Sequence, residues 1–164
     1  MTSPVTAPNA SATAHTRSAD ETRDLAAALA AVAQPGDRLA LVGPLGAGKT
    51  QFAKGFAVGL GIKDVVNSPS FTLMAEYTGR LRLFHQDLYR LSGAEEIVGG
   101  GLLDERQSEG VTLSEWGERL PAELDQDRLT VRIEITGETE RRISLLPAGA
   151  QHERYLRAAE SWRG

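Results

Sequence analysis

The sequence contains no cysteine among its 164 residues. Disulfide bonds, thiolate metal sites and thiol-based catalysis are therefore excluded, and such an absence is typical of a protein in a reducing compartment. The chain also lacks any apolar run long enough to span a membrane or to form the hydrophobic part of a secretory signal. From these two absences we expect a cytoplasmic protein.

Lysine is scarce as well, with only Lys49, Lys54 and Lys63, so arginine carries most of the positive charge. The net charge is −4, and an excess of acidic residues argues against autonomous binding to a nucleic acid backbone. A chain of 164 residues with 41% hydrophobic content can bury one core, so we expect a single domain.

A glycine-rich segment, residues 43–50, follows the apolar run at residues 39–42 and reads Gly-Pro-Leu-Gly-Ala-Gly-Lys-Thr. Its spacing fits G-x-x-x-x-G-K-[ST], the pattern of a phosphate-binding P-loop. Glycine is needed there because the backbone wraps around an anion and turns successive N–H groups inward. An ordinary strand–turn–helix connection is the alternative. The buried strand before the segment and the helical pattern at residues 51–58 favour the P-loop.

Within this segment Lys49 supplies a mobile positive charge for the β- and γ-phosphates of a nucleotide, and the Thr50 hydroxyl is a ligand for Mg²⁺. The helix that begins there directs the positive end of its dipole at the same anion. The sequence therefore predicts a site for a nucleoside triphosphate and Mg²⁺.

The first 18 residues are rich in threonine, serine, alanine and proline and include no acidic residue. This composition offers no large apolar face, so we predict a disordered N-terminal tail over residues 1–18 and a P-loop ATPase domain over residues 19–164. Removal of residues 1–17 should then leave thermal stability unchanged. The Ser-Ala-Asp-Glu segment at residues 18–21 predicts a capping box for a helix over residues 22–33.

Carboxylates follow two predicted strands. Asp87 lies just beyond a strand over residues 81–85, the second strand of a hairpin, and Glu115 ends an alternating strand that starts at residue 110. Mg²⁺ bound to a triphosphate prefers oxygen ligands and usually takes a strand-end carboxylate beside the P-loop hydroxyl. Glu115 is the candidate ligand, with a solvent-exposed strand end as the alternative reading.

Three neighbours of these carboxylates leave alternatives open. His85 and Arg90 flank Asp87, and either a functional or a purely structural role fits their positions. Trp116 follows Glu115, and a packing role is favoured over a platform for base stacking.

A further segment, residues 67–72, is crowded with hydroxyl residues. It fits either an ordinary loop or a switch that senses the γ-phosphate.

Beyond residue 121 the pattern predicts strands over residues 129–136 and 141–146, joined by a short turn, and a terminal helix from about residue 151. A short helix is predicted from residue 92. Together these elements predict an α/β fold, a single-domain, P-loop NTPase-like three-layer sandwich with a mixed β-sheet.

Four of these segments occur together in the order and spacing of one known family. They are the P-loop, the Ser-Pro-Ser-Phe-Thr-Leu segment at residues 68–73, the His-Gln-Asp-Leu-Tyr-Arg segment at residues 85–90, and the Glu-Trp pair at residues 115–116. With them, residues 20–146 resemble the TsaE family, also called YjeE. The resemblance implies a P-loop ATPase that works with the TsaB and TsaD proteins to make N6-threonylcarbamoyladenosine at position 37 of tRNA. It implies that ATP hydrolysis resets the TsaB–TsaD complex between turnovers.

The resemblance also implies roles for individual residues. Thr50 and Glu115 would hold Mg²⁺, and Asp87 together with Glu115 would serve hydrolysis. The residues expected to contact the nucleotide are Gly43, Pro44, Leu45, Gly46, Ala47, Gly48, Lys49, Thr50 and the switch residue Thr72. Two residues depart from the family's commoner pattern. Ser70 replaces threonine but keeps a hydroxyl, whereas Ser114 replaces an apolar residue and leaves the burial of its strand open.

Two other classes, a small-molecule or nucleotide kinase and a GTPase, share the P-loop. A kinase usually has a lid with several arginines that closes over the phosphates, and no arginine-dense segment is visible. GTPases read guanine through an Asn-Lys-x-Asp element, and neither Lys54 nor Lys63 has an aspartate two residues further on.

Because the guanine-reading element is missing, we predict that the protein binds ATP at least about tenfold more tightly than GTP, a difference of roughly 1.4 kcal/mol. Competition between ATP and GTP for the protein, in the presence of Mg²⁺, measures the ratio. Equal affinities would contradict the prediction and would show that the base is not read.

Overall fold

The structure is a computed structural model that describes residues 10–67, 74–88, 105–116 and 127–163. The strands in these residues are β1 (Ala12–Thr16), β2 (Arg38–Val42), β3 (Met74–Thr78), β4 (Arg82–Asp87), β5 (Val111–Glu115), β6 (Leu129–Ile135) and β7 (Arg141–Pro147). The α-helices are α1 (Ala19–Ala30), α2 (Lys49–Gly59) and α3 (Arg154–Ser161). Short 3₁₀ helices occupy Glu105–Glu109 and Ala150–His152.

The strands form one mixed sheet in the order β1-β7-β6-β2-β5-β4-β3. Its centre is parallel, with β2 between β6 and β5 and with β4 beyond β5, whereas β3, β7 and β1 pair antiparallel at the two sides. The predicted α/β fold with a mixed sheet is therefore confirmed. So are the two hairpins and the central strand that leads into the glycine-rich loop.

Central strands of a parallel sheet are buried on both faces, and β5, whose burial the sequence left open, is such a strand. All five of its residues are buried, including Thr112 and Ser114. The alternating sequence therefore does not mark a solvent-facing side. Ser114 is accommodated because its hydroxyl donates to the Gln86 side-chain oxygen of β4 at 3.0 Å, and these two residues are partners in the strand register.

Helix α1 uses the predicted capping box, but it spans Ala19–Ala30, so both of its ends lie three residues before the predicted ends at residues 22 and 33. Ser18 is the N-cap, and its side-chain oxygen accepts from the backbone N–H of Glu21 at 3.1 Å. The Glu21 carboxylate accepts in turn from the backbone N–H of Arg17 at 2.9 Å. Helix α1 packs against α2, and Gly55 of α2 allows the two backbones to approach closely. A Cβ atom on Gly55 would lie 2.2 Å from the Arg23 carbonyl oxygen.

The predicted disordered tail is wrong for Ala12–Thr16, which form the edge strand β1 paired with β7. The alternation of this strand is carried by small residues, since Ala12, Ala14 and Thr16 are buried and the residues between them are exposed. The Thr16 and Thr22 hydroxyls also lie 2.8 Å apart. Backbone pairing with β7 stabilises a segment whose side chains alone have too little apolar surface to predict a strand.

The C-terminal helix α3 is anchored at the start of β2 by the buried Asp37. Its carboxylate accepts from the Tyr155 hydroxyl at 2.6 Å and from the Gln34 backbone N–H at 2.8 Å, and it pairs with Arg154. Burial, and then the negative charge of Asp37, raise the pKa of Tyr155, so its phenol remains protonated and donates. This cluster lies at the opposite end of β2 from the glycine-rich loop, and it stabilises the fold.

Several predictions fall on parts of the chain that the structure does not describe. They are the helix from residue 92, the hydroxyl-rich residues 68–72 and Arg90. Within the described residues, no helix has the length and apolar character that crossing a bilayer requires.

Because β1 completes one edge of the sheet, we expect deletion of residues 1–17 to lower the melting temperature. A loss of roughly 2 kcal/mol would shift it by at least about 4 °C in a domain of this size. Calorimetry on the truncated protein measures the shift. Deletion of residues 1–9, which leaves β1 intact, is the matched control, and an equal shift for both deletions would show that β1 is not responsible.

Because α1 and α2 cross so closely, we predict that Gly55→Ala destabilises the protein. Replacing glycine with alanine within a helix normally stabilises it by up to about 1 kcal/mol. We expect a loss of about 1–3 kcal/mol, because the added methyl group meets the backbone of Arg23. Urea unfolding measures it. Val58→Ala, at an exposed position of the same helix, should change stability by less than about 0.5 kcal/mol. A Gly55→Ala variant as stable as the wild type would refute the close crossing.

Candidate functional site

The glycine-rich loop lies at the C-terminal end of the central strand β2, between that strand and α2. Gly46 and Gly48 have φ values of 82° and 109°, a left-handed region that disfavours other residues. Gly48 is the N-cap of α2, so the helix begins at Lys49. Gly43 is required for a different reason, since a Cβ atom there would lie 2.5 Å from the Ile133 carbonyl oxygen of β6. The loop therefore has the backbone shape of a P-loop.

Lys49 is the cation of this loop, and its side chain folds back over it. The ammonium group donates to the Gly43 carbonyl oxygen and, at 3.2 Å, to the Pro44 carbonyl oxygen. It also lies 3.5 Å from the centre of the Trp116 ring, a cation–π contact. Only 6% of Lys49 is exposed. The positive charge is thus held at the loop in a largely buried environment, where electrostatic interactions are stronger than in water.

A chain of three side chains crosses from the loop helix to the neighbouring strands. The Thr50 hydroxyl donates to Glu115 Oε1 at 3.0 Å, and His85 Nε2 lies 2.6 Å from Glu115 Oε2. His85 is fully buried, and Glu115 is 3% exposed. The carboxylate therefore links the P-loop hydroxyl to an imidazole in the sheet, and the interpretation of Glu115 as a solvent-exposed strand end is wrong.

Asp87 lies beside Glu115 because β4 and β5 run parallel and the two residues are partners in the register. The backbone continues the pairing beyond the strands, since the Leu88 N–H donates to the Glu115 carbonyl oxygen at 3.1 Å. Asp87 is 9% exposed. Two carboxylates from adjacent strands thus lie next to the P-loop, as their position after the predicted strands indicated.

The loop, the strand ends and the loop helix enclose a cavity of about 480 Å³. It combines one buried ammonium group, a hydroxyl and two carboxylates with backbone groups of the loop. The residues that line it are Leu45, Gly46, Ala47, Gly48, Lys49, Thr50, Gln51, Asp87, Glu115 and Trp116. The structure therefore brings both predicted carboxylates together with six of the residues expected to contact the nucleotide.

The other residues expected to contact the nucleotide are placed differently. Gly43 and Pro44 lie at the base of the loop and supply the carbonyl oxygens that hold Lys49. Thr72 lies outside the described residues. Trp116, for which the sequence favoured packing, has its ring at the cavity and against the Lys49 ammonium group. Its φ of 59° is unusual for a residue other than glycine, and such backbone strain clusters at functional sites.

Arg141 is a residue of the site that the sequence did not reveal. From the start of β7 its guanidinium donates to the Ala47 carbonyl oxygen at 2.9 Å and to that of Gly46 at 3.2 Å. It also donates to the Gly137 carbonyl oxygen at 3.1 Å, within the turn before β7. These bonds tie the glycine-rich loop to a strand almost a hundred residues away in the chain. No local pattern signals such a contact, because it depends on the sheet order.

The oxygen atoms available as metal ligands at this site suit a nucleotide-bound Mg²⁺ better than a metal held by protein alone. Thr50 Oγ1 and Glu115 Oε1 are two oxygens 3.0 Å apart at the edge of the cavity. Among the residues that the structure describes, no group of three or more His, Asp or Glu side chains could hold a metal ion. Mg²⁺ typically takes one or two protein ligands and completes its shell with phosphate oxygens and water. The Thr50–Glu115 pair has this character.

Comparison with known proteins agrees with this geometry. Residues 16–143 match the profile of the family described as Threonylcarbamoyl adenosine biosynthesis protein TsaE. The chain is 46% identical over 136 residues to the tRNA threonylcarbamoyladenosine biosynthesis protein TsaE of Bacillus subtilis, which covers 82% of this chain and 84% of that protein. The protein of the same name from Treponema pallidum is 39% identical over 129 residues, with 79% and 96% covered.

Similarity extends to three-dimensional structure. The crystal structure of Bacillus subtilis YdiB matches this one with a TM-score of 0.77 at 38% sequence identity, over 93% of this chain and 95% of that chain. The range matched by the family profile, residues 16–143, contains the glycine-rich loop, Asp87 and Glu115. The chain belongs to the TsaE family.

Proposed function

We propose that this protein binds and hydrolyses Mg²⁺-ATP as a component of the machinery that makes N6-threonylcarbamoyladenosine in tRNA. One observation carries the proposal. The P-loop lysine and the Thr50–Glu115 pair converge on a single cavity at the carboxyl ends of the parallel strands. The names of the Bacillus and Treponema relatives support the pathway.

On the phosphate side, the backbone of residues 46–48 and the N-terminus of α2 would surround the β- and γ-phosphates. Lys49 would exchange its carbonyl partners at Gly43 and Pro44 for phosphate oxygens, a stronger pairing because the acceptor is charged. Arg141 would preserve the shape of the loop during this exchange, since it binds the Gly46 and Ala47 carbonyl oxygens and does not line the cavity.

On the metal side, Thr50 and Glu115 would hold Mg²⁺. When bound, the ion neutralises charge on the phosphates and so makes ADP a better leaving group. Asp87 is placed beside Glu115 and lines the same cavity, so its carboxylate would orient and polarise the attacking water. Separate roles for the two carboxylates follow from their contacts, because Glu115 is bonded to the P-loop hydroxyl and Asp87 faces the cavity from the next strand.

Hydrolysis by this site alone should be slow. The residues that line the described cavity include one lysine and no arginine, whereas fast P-loop enzymes add an arginine that stabilises the charge of the transition state. Such an arginine is worth about 10³- to 10⁵-fold in rate. We propose that the TsaB–TsaD pair, the partner that the family resemblance implies, completes the site, and that hydrolysis supports the turnover of that complex.

The test measures phosphate release from ATP with and without purified TsaB and TsaD. We expect slow release by the protein alone and clear stimulation by the pair. Lys49→Ala should abolish ATP binding in calorimetry while the fold persists. Asp87→Ala should bind ATP normally but hydrolyse it poorly, because it removes the group that orients water and leaves the phosphate contacts.

Three outcomes would count against the proposal. Unchanged ATP affinity in a folded Lys49→Ala variant would remove the P-loop assignment. Full-rate hydrolysis by the protein alone, unchanged when TsaB and TsaD are added, would contradict the proposed dependence on these partners. Transfer of phosphate to a small acceptor instead of water would favour the kinase alternative.

A further inference from the structure

His85 is a buried polar residue that the proposed roles leave unexplained. It lies within β4, the strand next to the edge strand β3, with none of its surface exposed. Its Nε2 atom is 2.6 Å from Glu115 Oε2, while the other carboxylate oxygen, Oε1, accepts from the Thr50 hydroxyl at 3.0 Å. The Glu115 carboxylate is thus held at both oxygens, by the sheet on one side and by the loop helix on the other.

The carboxylate determines which imidazole nitrogen carries the proton. The proposed role of Glu115 as a metal ligand requires its carboxylate to be ionised. An ionised carboxylate oxygen can only accept, so Nε2 donates in this short contact. Among the described residues no group hydrogen-bonds to Nδ1, which is also buried. A buried polar atom without a partner carries a free-energy cost, and an apolar side chain at this position would avoid it. The position therefore makes use of one property of histidine, the Nε2–H.

We infer that His85 is a positioning residue for Glu115. Its Nε2–H occupies Oε2 and fixes the plane of the carboxylate, so that Oε1 stays directed at Thr50 and at the metal that the two would share. Without this bond the carboxylate could rotate about its last torsion, and two oxygens would compete for one coordination position. The inference rests on the proposed function, because it concerns how Glu115 presents an oxygen to Mg²⁺.

Groups that orient a metal ligand typically change metal affinity by about 10- to 100-fold when they are replaced. We therefore expect His85→Asn and His85→Leu to raise the Mg²⁺ concentration needed to strengthen ATP binding by about tenfold or more. Their ATP affinity in EDTA should equal that of the wild type, since Lys49 and the loop backbone are untouched. His85→Gln should largely restore the wild-type Mg²⁺ dependence, because the glutamine amide N–H can reach the place of Nε2–H.

The matched control is Gln86→Leu. Gln86 is the next residue of β4, 1% exposed, and its side-chain oxygen accepts from the Ser114 hydroxyl. The variant should lose stability through the broken Ser114 bond but keep the wild-type Mg²⁺ dependence. Calorimetric ATP titrations with and without Mg²⁺, and Mn²⁺ binding to the ATP complex by electron paramagnetic resonance, supply the readouts. Neither requires turnover.

The outcomes separate this inference from the proposed function. A wild-type protein whose ATP binding does not respond to Mg²⁺ would overturn both. A normal Mg²⁺ response in the wild type, shared by folded His85→Asn and His85→Leu, would overturn the positioning role alone. So would a loss in His85→Gln as large as that in His85→Leu.

If the asparagine and leucine variants do not fold, the wild type itself is the test. The chain has three histidines, so ¹⁵N spectra of the imidazoles are simple, and His85→Gln assigns the signal. We expect the Nε2–H tautomer at His85 and a change in its Nε2 resonance when Mg²⁺ and ATP are added together. An Nδ1–H tautomer, or a resonance that ignores Mg²⁺ and ATP, would overturn the inference.

Discussion

The parallel pairing of β2 with β5 is the constraint on which the site depends. In this register Leu41, one residue before the end of β2, lies opposite Glu115. Because the loop begins two residues later and α2 returns over the strand ends, the Thr50 hydroxyl comes within 3.0 Å of the Glu115 carboxylate. Residues 65 positions apart thus form one bonded pair. A shift of the register by one residue would direct Glu115 to the opposite face of the sheet.

Two charged side chains of the site, Lys49 and Glu115, are buried. Lys49 and Glu115 are almost fully withdrawn from solvent, where charges interact more strongly but cost more to desolvate. The structure offsets the cost with specific bonds. Two carbonyl oxygens and an aromatic face accompany Lys49, and a hydroxyl and an imidazole accompany Glu115. Both charges are therefore compensated by partners within the domain.

The supporting contacts of the loop come from unexpected parts of the chain. Arg141 approaches it from β7, and Gly55 lets α1 lie close against the loop helix. At the far end of β2, Asp37 ties the last helix to the strand that carries the loop. The glycine-rich segment is conformationally permissive by composition, so its shape is maintained by these neighbours and by the sheet. The site is in this sense a property of the whole domain.

Much of the fold could be predicted from the sequence because local patterns carry it. The glycine spacing of the loop, the capping box at Ser18 and the two hairpins each depend on neighbouring residues, and the structure has all of them. One prediction failed where the pattern was weak, because Ala12–Thr16 form a strand through backbone pairing although their small side chains give little sign of it. The burial of β5, which the sequence left open, was decided by its place between two other strands.

The sequence by itself determined the glycine-rich loop with its Lys-Thr end, because phosphate cradles need particular residues at fixed short spacings. It also placed Asp87 and Glu115 at strand ends. Only the tertiary structure decided that Glu115 bonds to both Thr50 and His85, that Trp116 lies over Lys49, and that Arg141 holds the loop. The reason is physical. These contacts join residues from 30 to almost 100 positions apart in the sequence. The strand order and the packing of the sheet bring such residues together, and local sequence patterns do not predict either.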